Sequence, residues 1–81
     1  MNVQVDWDPN PEANISHYRV YYGPTAAFGT VVNSNTNSIL LSGLPDGRDM
    51  YIGISAVNDQ GEESAVSTPQ TVINKYVYIG M

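Results

Sequence analysis

A chain of 81 residues has room for one domain and one core, and a domain of that size buries only about 60% of its unfolded surface. It has no cysteine, which excludes disulfides and thiolate metal sites, and three Lys or Arg against eight Asp or Glu leave a net charge of −5. That balance argues against nucleic acid, whose phosphates need a basic footprint, and against anionic lipid; no apolar run nears the ~20 residues of a membrane span. Met1 leads straight into a strand pattern, so no signal peptide is expected.

Period-two alternation dominates, with no competing 3.6-residue stripe. The first run, Val3–Trp7, sets Val3, Val5 and Trp7 on one face and Asn2, Gln4 and Asp6 on the other. Pro9 and Pro11 cannot donate to a ladder and end it. The second run, His17–Gly23, turns Tyr18, Val20 and Tyr22 inward and His17, Arg19 and Tyr21 outward, and Gly23-Pro24 breaks it. A short run at Thr30–Val32 precedes the polar tract Asn33–Ser38, which reads as a turn without packing potential. Ile39, Leu41 and Leu44 face inward, with Leu40 an outward exception, and Leu44–Gly47 (LPDG) reads as a turn in which Pro fixes φ and Gly supplies a positive one. The longest predicted strand places Met50, Ile52, Ile54 and Ala56 on one face and Tyr51, Gly53, Ser55 and Val57 on the other. After the turn Asn58–Gly61, a last strand is expected from about Ser64 to Ile73, at a sheet edge because Pro69 lies within it. Short strands between turn signals predict an all-β antiparallel sandwich, with Trp7 in its core against Tyr18, Val20, Ile52 and Ile54.

The pieces VDWDPNPE (Val5–Glu12), YRVYYG (Tyr18–Gly23), LSGLPDG (Leu41–Gly47) and MYIGISAVNDQGEESAVS (Met50–Ser67), in this order, resemble a fibronectin type III domain of the kind common in bacterial extracellular proteins. The resemblance covers roughly residues 3–73 and implies an immunoglobulin-like sandwich with strands B, C, C′, E, F and G. Three departures stand out. Met50 occupies the place of the family's corner tyrosine, with Tyr51 one position off. The loop between F and G reads Asn58-Asp59-Gln60-Gly61, and Gly47-Arg48-Asp49 has the integrin-binding letters in another order and another loop, so no integrin function is carried over. The chain also starts inside strand B, so the family's first strand has no counterpart.

That absence leaves a two-stranded sheet, marginal alone, with an open edge along strand B at Asn2, Val3, Gln4 and Val5. The chain divides into a sandwich over 1–73 and an extension over 74–81, in which Val77, Ile79 and Met81 face one way and Tyr76 and Tyr78 the other. This extension is a strong strand former. A segment running straight on from strand G points the right way for the vacant slot of a neighbouring molecule, whereas reaching its own slot antiparallel to B requires doubling back with no residues to spare. Lys75–Met81 is therefore expected to complement strand B of the next subunit, head to tail, giving a fibre. In the alternatives, strand A precedes Met1 in a longer parent and Lys75–Met81 begins a linker or a hairpin back onto strand G, or the edge strand makes a symmetric dimer.

Other candidate sites are weaker. His17 is a single outward histidine, no serine sits in a nucleophile elbow, and no enzyme activity or cofactor is expected. Asp6, Asp8 and Glu12 cluster near a turn but match no calcium loop, and Asn14-Ile15-Ser16 is a glycosylation pattern without meaning in a bacterial chain. Tyr21 and Tyr51 point outward on neighbouring strands, either as an ordinary cross-strand pair or as rings that stack on a sugar or a protein. The residues thus point to an extracellular or surface structural module that self-associates through edge strands. The alternative is a carbohydrate- or protein-binding accessory domain of a secreted enzyme.

Overall fold

The structure is a computed structural model that describes residues 1–9, 13–46 and 49–80. The alternating runs become β1 (Val3–Trp7), β2 (Ile15–Gly23), β3 (Thr30–Ser34), β4 (Ser38–Leu41), β5 (Tyr51–Asn58), β6 (Gln70–Thr71) and β7 (Tyr76–Ile79). They form two sheets, ordered β4-β1-β7 and β3-β2-β5-β6. Every pairing is antiparallel except β1 with β7. This is the predicted all-β sandwich.

The inward sets match the alternation. Trp7, Val3, Val5, Val20, Ile52 and Ile54 are the large side chains fully removed from solvent, and Tyr18, Leu41, Leu44, Met50, Ala56, Val77 and Ile79 complete the core. Trp7 meets Tyr18 edge to face, ring centroids 5.6 Å apart. Its indole N–H has no hydrogen-bond acceptor among the described residues. Truncating Trp7 removes the centre of this cluster, a change that costs about 3–5 kcal/mol in typical cores.

The expectation that the C-terminal segment has no home in its own molecule is corrected. β7 lies along the free side of β1, with Val5 beside Val77 and Trp7 beside Ile79. A two-residue turn makes this possible. Asn74 and Lys75 have φ of 54° and 63°, and Ile73 and Tyr76 exchange backbone hydrogen bonds of 3.3 and 3.1 Å across them. Positive φ at both central residues is the type I′ pattern, whose twist suits tight reversals. The chain therefore reverses within two residues and joins β1 in the parallel sense. The assumption that failed was direction, because a parallel neighbour also satisfies the backbone of β1. The sheet expected to have two strands has three, and β1 is not an edge.

Two smaller expectations also change. The strand predicted over Ser64–Ile73 shrinks to Gln70–Thr71, with a single bridge from Glu63 to Val57 before it. Between them the ribbon follows β5 by a mixed pattern: Ser64 and Ser67 donate their backbone N–H groups to Ala56 and Ile54 (2.8 and 2.9 Å), and their hydroxyls accept the N–H groups of the same two residues (2.9 Å each). Three ribbon residues span two on β5, a mismatch that a regular ladder cannot hold, and serine side chains stand in for the missing carbonyls. The polar tract after Thr30–Val32 is not wholly inert either. β3 runs on to Ser34, whose buried hydroxyl bonds the carbonyls of Thr36 and Ser38.

The face of β5 expected to look outward is buried as well, from Gly53 through Val57. Phe28 explains part of this. A Cβ on Gly53 would lie 2.7 Å from the Phe28 ring and 2.8 Å from Val66, and one on Gly23 would lie 1.6 Å from the Phe28 carbonyl oxygen. The loop after β2 folds back over both glycines, holding Phe28 at φ 64° just before Gly29 at 113°.

Candidate functional site

The residues predicted to form an assembly edge divide by the pleat. Val3, Val5, Val77 and Ile79 are core residues. Asn2 is exposed, Lys75 sits in the reversal, and Gln4, Tyr76 and Tyr78 face outward. Met81 lies outside the described residues, as do Pro11, Glu12, Gly47 and Arg48. The calcium cluster with Glu12 and the Gly47-Arg48-Asp49 sequence are therefore only partly described.

On the outer face of the β4-β1-β7 sheet the side chains form two rows, Leu40–Gln4–Tyr76 and Ser38–Asp6–Tyr78. Leu40 is 53% exposed, Tyr76 43% and Tyr78 54%. Each tyrosine leans to the next aspartate along the chain: Tyr76 donates its hydroxyl to Asp6 at 3.1 Å, and Tyr78 donates to Asp8, just past the end of β1. Asp6 also accepts Ser38 Oγ at 2.6 Å and Gln4 Nε2 at 2.8 Å. The Ser38 and Gln4 donors hold the Asp6 carboxyl below its ordinary range, helped by Tyr76 and opposed by partial burial. Partial burial and the bond to Asp6 push the Tyr76 hydroxyl up, and the bond to Asp8 does the same for Tyr78.

The opposite sheet presents a second polar cluster, centred on Glu63, that the sequence reading missed. Glu63 accepts from Ser55 Oγ at 2.6 Å, from the Tyr21 hydroxyl and from the Arg19 guanidinium at 3.1 Å. The Ser55 and Tyr21 donors keep its carboxyl low, and the same bond raises the Tyr21 hydroxyl. Arg19 lies 5.7 Å from the centre of the Tyr21 ring, and Phe28 packs against that ring at 5.9 Å. Tyr21 sits opposite Gly53 and Tyr51 opposite Gly23, so the two tyrosines are diagonal neighbours, with Phe28 lodged over both glycines. The ring that packs against Tyr21 is Phe28, where Tyr51 was expected. Two glycines facing adjacent places on neighbouring strands were the available signal, because strand glycines mark close approach. His17 is half-buried and bonds its ring Nδ1 to Ser16 Oγ at 3.1 Å.

Among the described residues no group of three or more His, Cys, Asp or Glu converges as a metal site would require, and no helix is long and apolar enough to cross a membrane. No solved structure matches the chain significantly. The family model for the fibronectin type III domain matches residues 1–73, ending at the reversal that leads into β7. Domains of this family are typically non-catalytic, generally act in protein interactions and are commonly extracellular. With nine-tenths of its length matched and the two-sheet topology in place, the chain belongs to the fibronectin type III domain family.

Proposed function

We propose that the chain is a non-catalytic structural and interaction module of an extracellular or surface assembly, with residues 1–73 as its sandwich and 74–81 as an extension that caps β1. The carrying observation is the set of exposed large side chains on the β4-β1-β7 sheet and the reversal that leads into it: Leu40 on β4, Ile73 before the reversal, and Tyr76 and Tyr78 on β7. Exposed apolar and aromatic side chains gathered on one sheet of a small domain mark contact surfaces more often than scattered ones do. A carbohydrate-binding role through Tyr21 and Tyr51 has less support, because Tyr21 already engages Glu63, Arg19 and Phe28.

Head-to-tail assembly by strand donation is a second reading, now as the exchanged form of the β1–β7 pairing. Lys75 favours it: a lysine at φ 63° is strained in the reversal and relaxes when the chain straightens, and short strained hinges invite exchange. Light scattering on the full chain over a range of concentrations separates the two readings. Assembly by exchange gives mass that rises with concentration and falls back to the monomer in Lys75→Gly, which relaxes the turn. A mass that stays monomeric throughout sinks the exchange reading. A capped domain that also captures no partner in cross-linking with its neighbours sinks the first.

A further inference from the structure

Asp6 on β1 and Asp8 just after it, with Tyr76 and Tyr78 on β7, repeat one contact two residues apart, giving a ribbed outer face. Among the described residues the donors to these carboxylates are neutral: Gln4, Ser38 and Tyr76 on Asp6, and Tyr78 on Asp8. They fix the carboxylates in place without cancelling their charge. Among the described residues the ion pairs lie elsewhere, between the Met1 amino group and Asp46 at 3.0 Å and between Arg19 and Glu63. The tyrosine rings remain half in solvent, and ring faces attract guanidinium and ammonium groups. A net charge of −5 argues against a second copy of this chain as the occupant, since two such faces repel.

We propose that this face docks an extended segment of a partner protein carrying arginine or lysine at alternate positions, seated over Asp6, Asp8, Tyr76 and Tyr78. Side chains two residues apart in a strand stand about 6.6–6.8 Å apart, so an extended partner with alternating cations matches the spacing of the ribs. β7 is also the border of its sheet. Lys75 and Ile79 turn their carbonyls to Gln4 and Asp8, and by alternation Tyr78 turns its own N–H and C=O away from β1, where a partner backbone can reach them. This assignment rests on reading the domain as an interaction module and names the partner's chemistry.

The test titrates the full chain with a labelled peptide of alternating arginine and threonine, about eight residues long to cover the ribs. The alternating glutamate–threonine peptide and a neutral xylo-oligosaccharide serve as comparison probes. The arginine peptide is expected to bind and to weaken as salt rises, and the glutamate peptide to be ignored. Asp6→Asn with Asp8→Asn should weaken binding about tenfold, and Tyr78→Ser about threefold. Asp49→Asn with Asp59→Asn removes the same charge at exposed positions outside the face and should change affinity by less than about twofold. Circular dichroism and urea midpoints identify any variant that fails to fold. Tyr78→Ser decides if the double variant does so. Equal losses in the two double variants would reduce the effect to net charge and overturn the proposal. So would oligosaccharide binding that Tyr78→Ser abolishes, or indifference of the full chain to the arginine peptide. In that last case, concentration-dependent mass or binding lost in Tyr51→Ala would leave the broader interaction reading standing.

Discussion

β7 and the ribbon from Glu62 to Val72 both lie at the border of a sheet, yet different chemistry holds each of them. β7 joins β1 by a continuous ladder in register and buries every second side chain, Val77 and Ile79. The ribbon has a ladder of only two residues, places most of its side chains in solvent, and relies on the Ser64 and Ser67 hydroxyls and the Glu63 carboxylate. Burial of alternate side chains secures the first border, with two tyrosine–aspartate bonds on its outer face, and specific polar contacts with little burial secure the second. The first should be costly to remove. The second should be sensitive to single-atom changes.

The largest expected effect comes from ending the chain at Asn74. Two buried aliphatic side chains at about 1.5–3 kcal/mol each amount to about 3–6 kcal/mol. A domain of this length has about 4–12 kcal/mol in total, so the shortened chain should unfold at very low urea or associate. A urea midpoint close to that of the full chain would place β7 outside the core.

Next in size are Ser64→Ala and Ser67→Ala. Each leaves a β5 amide without its acceptor, at about 1–3 kcal/mol in urea melts. Ser67→Thr keeps the hydroxyl and should cost much less. If alanine and threonine behaved alike, the stand-in role of the hydroxyl would be wrong.

Lys75→Gly is smaller and opposite in sign. Glycine removes the steric cost of positive φ but loosens the unfolded chain, leaving a net gain of about 0.5 kcal/mol, read as a small rise in melting temperature.

The pH response is the finest discriminator. Asp6 and Glu63 titrate below their unfolded values, so the stability they contribute is present above about pH 4 and is lost as pH falls through their folded pKa values. Tyr21, Tyr76 and Tyr78 titrate above theirs, so their contribution is present below about pH 10 and is lost as pH rises further. A stability plateau between these limits, with its acid limb reduced in Glu63→Gln, is the expected profile. An acid limb unchanged by Glu63→Gln would show that the ribbon does not depend on that carboxylate.

Alternation made most of this architecture legible. Val3, Val5 and Trp7 inward, Tyr18 and Val20 inward, and the strong strand character of Tyr76–Ile79 all follow from side chains that point to opposite faces in turn. Periodicity does not say which strand is the neighbour or in which direction it runs. Asn74-Lys75 was hard to read as a reversal because lysine rarely takes positive φ, and asparagine-glycine is the usual signal. The ribbon misled for the opposite reason. Residues near Ser64–Ile73 looked like a strand, but Pro69 and the three-against-two spacing prevent a ladder, and only the position of β5 shows that serines take over its bonds. The Tyr–Asp ribs were invisible for a related reason: Asp6 and Tyr76 are 70 positions apart, and the parallel register alone brings their strands side by side.

That parallel register also sets how the domain carries tension. β1 begins near one terminus and β7 ends near the other, so a pull applied to residues 2 and 80 draws the two strands lengthwise past each other. Their evenly spaced hydrogen bonds are then loaded together in shear rather than peeled apart singly. Had the last strand run antiparallel to β1, the same pull would have opened the sheet like a zip.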